Sequence, residues 1–186
     1  MTRPIEIELP DPCLVVLVGA AGAGKTTFAA RHFASGKILS SDAYRELLAG
    51  DPADQRATRA TFAALHRELR RRLAKRRLVV IDATSVTPRA RAALLRAARA
   101  AGVPAVAVVL DLPPEVVLTR NAARTGRVVP EAAVRRHLRD LAAAGRDGAL
   151  AVEGFASVVR LRSVAEVDGA RVARAAPRGD PAEASG

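Results

Sequence analysis

Eight consecutive residues constrain this chain more than any others: Gly19-Ala20-Ala21-Gly22-Ala23-Gly24-Lys25-Thr26. They match G-x-x-x-x-G-K-[ST] in full. The apolar run at 13–18 precedes them, and a helical stretch opens at Thr26. Glycines let a backbone turn its N–H groups inward around an anion, and the following helix points its positive end at the same spot. Lys25 would reach the β- and γ-phosphates of a nucleoside triphosphate, and the Thr26 hydroxyl would ligate Mg²⁺. The expected donor-binding set is therefore Gly19, Ala20, Ala21, Gly22, Ala23, Gly24, Lys25, Thr26 and Thr27. The other reading, a glycine-rich turn that merely connects strand to helix, is weakened by the completeness of the motif and by its context. The loop does not choose among ATPase, GTPase and kinase. The guanine-reading motif N-K-x-D is absent from the sequence, which argues against a GTPase.

The rest of the chain alternates short apolar runs with helical periodicity. Residues 5–9 alternate apolar and acidic side chains, as a half-exposed edge strand does. Residues 13–18 are wholly apolar, which suits a strand buried on both faces. Further strands are expected over 37–39, ending at Ser40-Ser41-Asp42, over 78–81, ending at Asp82, over 106–110 and over 157–161. Helices are expected over 26–32, over 54–75, from Pro88 to a stop at Gly102, and from Pro113-Pro114 to about Arg124. Two more are expected over 131–144 and, as a last element, over 164–175. This order predicts an α/β fold with a mostly parallel central sheet and helices on both faces. Residues 1–175 would form one domain, and the polar Pro- and Gly-bearing stretch 176–186 a disordered tail or linker.

Composition narrows the class. A chain of 186 residues can bury a core without disulfide or metal. Its hydrophobic fraction of 49% excludes a disordered chain, yet only 3% is aromatic, so the core must be built from Ala, Val and Leu. Cys13 is the sole cysteine, which excludes a disulfide scaffold. No uncharged run reaches the ~18 residues of a membrane span, so no membrane role is expected. The opening residues carry Glu6, Glu8 and Asp11 and do not read as a secretory signal, so a cytoplasmic location is expected. There are 30 basic residues, 27 of them Arg, against 19 acidic ones, a net charge of +11. Such a surface favours polyanions. The competing explanation is a general bias toward Arg and Ala.

Other candidate residues lie near expected strand ends. Asp42 should project from the carboxyl edge of the sheet, where ligands of open α/β folds bind. A carboxylate there can take the proton of an incoming hydroxyl during phosphoryl transfer. It can also cap a helix starting at Ala43, and the two roles are compatible. Arg45, one helical turn on, would hold an acceptor phosphate or orient Asp42. Asp82 follows four apolar residues and would hold a Mg²⁺-bound water, unless it is only a solvated strand end. Thr84 and Ser85 share its edge. Arg120 and Arg124 are spaced i, i+4 on one expected helix, and Arg127 follows Gly126. Together they would neutralise transition-state charge as an Arg-bearing lid, or else form a solvated helix face. The run Arg67, Arg70, Arg71, Arg72, Lys75, Arg76, Arg77 either tracks a nucleic-acid backbone or is a solvated face. No aromatic is interleaved there, so base stacking on that run is not expected. His66 and His137 lack metal-type spacing and receive no role.

Four segments taken together resemble a known family. Gly19 to Thr26, Ser40-Ser41-Asp42-Ala43-Tyr44-Arg45, Val80-Ile81-Asp82-Ala83-Thr84 and Arg120-Asn121-Ala122-Ala123-Arg124-Thr125-Gly126-Arg127 are similar, in order and spacing, to the polynucleotide 5′-hydroxyl kinase domain of bacterial RNA and DNA end-healing enzymes. The resemblance runs over about 5–167, and its specific part is S-S-D-x-x-R combined with R-N-x-x-R-x-x-R. It implies a P-loop kinase fold that moves the γ-phosphate of ATP, or another NTP, with Mg²⁺, to a 5′-hydroxyl end of RNA or DNA. It implies Lys25 and Thr26 at the donor phosphates, Asp42 as general base, Arg45 on the acceptor phosphate, and Arg120, Arg124 and Arg127 in the lid. Thr125-Gly126-Arg127-Val128 departs from the family, which carries an acid and a glutamine beside that Arg. Better-known members continue into phosphatase and nucleotidyl-transfer modules, which implies phosphatase and ligase partners. Two other readings stand: a P-loop kinase of a nucleoside, sugar or antibiotic, and a non-catalytic ATP-binding module of a repair complex.

Overall fold

The computed structural model describes residues 4–47, 55–125, 128–145 and 148–175. Its strands are β1 (Glu6–Leu9), β2 (Leu14–Val18), β3 (Ile38–Ser40), β4 (Val79–Asp82), β5 (Ala105–Leu110), β6 (Ser157–Leu161) and β7 (Arg171–Arg174). Its helices are α1 (Lys25–His32), α2 (Ser41–Leu47), α3 (Gln55–Ala74), α4 (Pro88–Ala100), α5 (Pro114–Ala122), α6 (Glu131–Ala144), α7 (Ala149–Glu153) and α8 (Val164–Gly169).

β2 is buried at every position because it lies in the middle of a sheet ordered β3-β4-β2-β5-β6. Every pairing in that sheet is parallel. Crossover helices cover both faces of such a sheet, so its central strands show no polar alternation. Leu14, Val16 and Val18 face one core layer with Leu65, Leu69 and Leu73 of α3 and Leu94 and Leu95 of α4. Val15 and Leu17 face the other, with Phe28 of α1, Val117 of α5, Val134 of α6 and Val167 of α8. Each fully buried Leu or Val is worth roughly 1.5–3 kcal/mol, so many small aliphatic side chains replace the missing aromatics.

Three expectations need correction. The stretch 164–175 is not one helix: α8 ends at Gly169, and 171–174 form β7. β7 pairs in parallel with β1 (Glu6↔Arg171 through Leu9↔Arg174), so β1 belongs to a separate two-stranded sheet. Within 171–174 only Val172 turns inward, and backbone pairing with β1 decides the conformation there. The helix expected to reach Arg124 stops at Ala122. The helix after β3 starts at Ser41 rather than Ala43. The tail expected over 176–186 lies outside the described residues.

Candidate active site at the strand ends

The loop 19–24 leaves β2 at the carboxyl edge of the sheet and is pinned on both sides. Gly19 N–H donates to Thr84 O at 3.2 Å, tying it to the segment after β4. Gly22 sits at φ +92°, and a Cβ there would collide with the Val117 carbonyl of α5. Gly24, at φ +90°, precedes the first turn of α1. Only glycine takes such backbone without strain and leaves N–H groups open to an anion. Lys25 is buried, and its Nζ donates to Gly19 O (2.9 Å) and Ala20 O (2.8 Å). Burial lowers its pKa to about 8; Asp82 and Asp42 oppose the shift and Arg124 adds to it.

Strand order explains why distant residues meet here. β3, β4 and β2 are neighbours, so their carboxyl ends put Ser41-Asp42, Asp82 and the loop side by side. Ser40 stands opposite Asp82 in register. Thr26 Oγ1 donates to Asp82 Oδ2 at 2.8 Å, and the Ser40 hydroxyl also bonds Asp82. Burial raises the Asp82 carboxyl above its ordinary range, while the Thr26 hydrogen bond and Lys25 pull it back. Asp42 lies in the first turn of α2, lines the cleft, and is near enough for its charge to act on both Lys25 and Asp82. The helix starts at Ser41, so Asp42 stands inside its first turn and not at a position preceding a helix that begins at Ala43. The side-chain oxygen facing Ala43 N is that of Ser40, at a long 3.5 Å. Arg45 lies three residues on, in the same helix.

The lid arginines divide. Arg120 is on α5, and its guanidinium would lie 3.7 Å from a Cβ at Gly24, so it sits over the loop. Arg124 also lines the cleft but from beyond the helix, so the expected i, i+4 pair on one helix is not formed. Arg127 lies outside the described residues. Asn121, to which no role was assigned from sequence, is 3% exposed. Its Nδ2 donates to Val129 O (2.8 Å) and its Oδ1 accepts from Val129 N (3.3 Å). One buried amide thus holds Val129 against α5.

The loop, Asp42, Asp82, Arg120 and Arg124 share one cleft of about 1180 Å³. That exceeds the ~300–1,000 Å³ usual for a single small ligand. Among the described residues no group of three His, Cys, Asp or Glu assembles as a metal cage. Mg²⁺ does not need one, since it keeps waters and takes one or two side chains plus phosphate oxygens. The Thr26 hydroxyl bonded to the buried Asp82 fits that pattern.

Sequence reasoning missed the far wall of the cleft. Arg59, Phe62 and His66 of α3 and Arg89 of α4 line it, as do Arg136, His137 and Asp140 of α6. The spacing 59, 62, 66, on the helix side that also carries Leu65 and Leu69, was the available signal. It also missed Arg91, wholly buried on α4. Arg91 makes two bonds to Glu153 (2.7 and 2.6 Å) and one to Ser85 O (2.9 Å). Ser85 itself lines the cleft at φ +46°. The basic run 67–77 does not line this cleft. Arg71 and Arg72 in it pair with Glu68 at 2.7 and 2.6 Å, and Arg72 also bonds Gly36 O.

Comparison with known proteins agrees with this fold. The family model AAA_33, an AAA domain, matches residues 14–144. A chain of the Pnkp1/Rnl/Hen1 RNA repair complex is 25% identical and superposes with a TM-score of 0.64 over 74% of this chain. This chain spans only 46% of that one's length. A sugar kinase from Janibacter sp. (22% identity, TM-score 0.56, covering 81% of this chain and 85% of that one) shares the fold. So does a gluconokinase from Sinorhizobium meliloti (20% identity, TM-score 0.53, covering 86% and 87%). No curated protein sequence matches.

Proposed function

This chain belongs to the AAA domain family AAA_33, with a P-loop kinase fold that implies NTP binding, and from that premise we propose that it is a polynucleotide 5′-hydroxyl kinase. The observation that carries the reading is the meeting of Lys25, Thr26, Asp82 and Asp42 at three adjacent strand ends, in a cleft with room for donor and acceptor. The likeness to an RNA-repair chain at 25% identity and the net charge of +11 support a polynucleotide acceptor.

In this reading the N–H groups of the loop and Lys25 hold the β- and γ-phosphates of the donor, with Thr27 beside them. Arg120 and Arg124 lie over the donor and, together with Arg127, offset the charge that spreads on the transferring group. Thr26 and, through a water, Asp82 would hold Mg²⁺, which would supply positive charge against the donor phosphates. Asp42 takes the proton from the 5′-hydroxyl as its oxygen attacks the γ-phosphorus in line and the bond to the β-phosphate oxygen breaks. Arg45 holds the acceptor's phosphate. Residues 1–175 act as the kinase domain in the cytoplasm, with phosphatase and ligase activities supplied by partners.

The test is transfer of γ-labelled phosphate from ATP with Mg²⁺ to 5′-hydroxyl RNA and DNA oligonucleotides, with free nucleosides and gluconate as rival acceptors. Label on oligonucleotides, reduced about 100-fold or more in Asp42→Asn with ATP affinity within about twofold, is expected. Label only on a small acceptor, or ATP binding with no transfer at all, would overturn the reading.

A further inference from the structure

Resting on the polynucleotide reading above, we propose that the wall formed by α3 and α4 seats the terminal nucleotide of the acceptor, with Phe62 stacking on a nucleobase and Arg59 and Arg89 holding the phosphates that follow it. Phe62 is 39% exposed and is the only aromatic among the large exposed apolar side chains of the described residues. It faces the cleft instead of the core. His66, one turn on, meets its ring edge-on with centroids 6.5 Å apart, so the two rings form a small platform. Leu65, Ala90, Ala93 and Leu94 continue the apolar surface beside it.

Cations flank this surface. Arg59 lies one turn before Phe62 on the same helix face, and Arg89 stands in the first turn of α4 across from it. Both are exposed, and among the described residues neither has an ion-pair partner. α2 packs on α3, which puts this wall beside Asp42.

The chemistry of the wall selects its occupant. An apolar floor between two guanidiniums fits a planar ring that carries anions. A sugar or other polyol needs side chains that accept from and donate to its hydroxyls, and among the described residues the part of the cleft contributed by α3 and α4 holds no Asp, Glu, Asn or Gln. Base stacking is sequence-tolerant, so this seat would take any terminal base.

The experiment measures oligonucleotide binding by fluorescence anisotropy and transfer kinetics together, for the full chain and for Phe62→Leu, Phe62→Trp, Arg59→Gln and Arg89→Gln. A matched oligonucleotide with an abasic first residue is included. Phe62→Leu should raise the acceptor Kd and KM about 5- to 100-fold, with the ATP KM and the kcat at saturating acceptor within about twofold. Phe62→Trp should restore affinity. The abasic oligonucleotide should bind the wild type weakly and lose nothing more on Phe62→Leu. Each Arg→Gln change should flatten the salt dependence of binding by about 0.7 in log–log slope. Wild-type transfer with an unchanged acceptor KM in Phe62→Leu, or equal losses for intact and abasic ends, would overturn the seat and leave the kinase reading standing. Binding that depends on Phe62 without any transfer would do the reverse. Neither binding nor transfer would overturn both.

Discussion

Lys25 shows how one side chain senses both burial and ligand. Its pKa is about 8 in the fold, against 10.5 when unfolded. Below pH 8 both states carry the proton, and the folded state bears the full cost of a buried ammonium, on the order of 3 kcal/mol. Between pH 8 and 10.5 the folded chain releases the proton first, so this cost fades as pH rises. Lys25→Met should therefore raise the Tm most below pH 8, with the advantage shrinking toward pH 10.5. A polyphosphate beside Nζ would favour the charged form. At about pH 9, ATP binding should thus take up close to one proton in the wild type and none in Lys25→Met, as read by calorimetry in buffers of different ionisation enthalpy. Lys25 and Thr26 were legible in the sequence because eight contiguous residues carry their chemistry. Arg91 was not, since nothing local marks one arginine of an Arg-rich helix as the one that becomes buried. The structure singles it out because Glu153 and the Ser85 carbonyl lie within reach of its guanidinium.

Among the elements, the loop after β4 is the part most dependent on remote support. Ser85 holds φ +46°, a conformation costing roughly 1–2 kcal/mol for a side chain other than glycine. Its carbonyl is held by Arg91, and Arg91 by Glu153 of α7. Arg91→Met leaves the Glu153 carboxylate without its partner and should destabilise the chain by about 3 kcal/mol, read as a lower urea midpoint. Arg91→Met combined with Glu153→Leu should recover much of that loss, because the uncompensated charge is gone. Most strands and helices were readable from apolar runs, proline starts and glycine stops. Those that were misread lack such marks. β7 has one inward side chain and is a strand only because β1 pairs with it. The end of α5 is set by no breaker in sequence; Asn121 grips Val129 where the chain turns back.

For the whole molecule, the net charge of +11 is an electrostatic statement about solution behaviour. Binding of a single-stranded oligonucleotide should weaken linearly in log Kd against log salt, with a slope of about 0.7 per phosphate contacted. A 5′-hydroxyl mononucleotide, reaching fewer cations, should show a shallower slope in the same titration. The βαβ order, the phosphate loop and its lysine and threonine were decided locally, because hydrogen-bond geometry and side-chain period act over a few residues. The meeting of Asp42, Asp82 and Thr26 was not. It follows from β4 being inserted between β3 and β2, a pairing over long sequence separations that no local pattern encodes. The aromatic and cationic wall of α3 and α4 likewise exists only once both helices pack on the same face of the sheet, since packing alone decides which side of each helix is left to face the cleft.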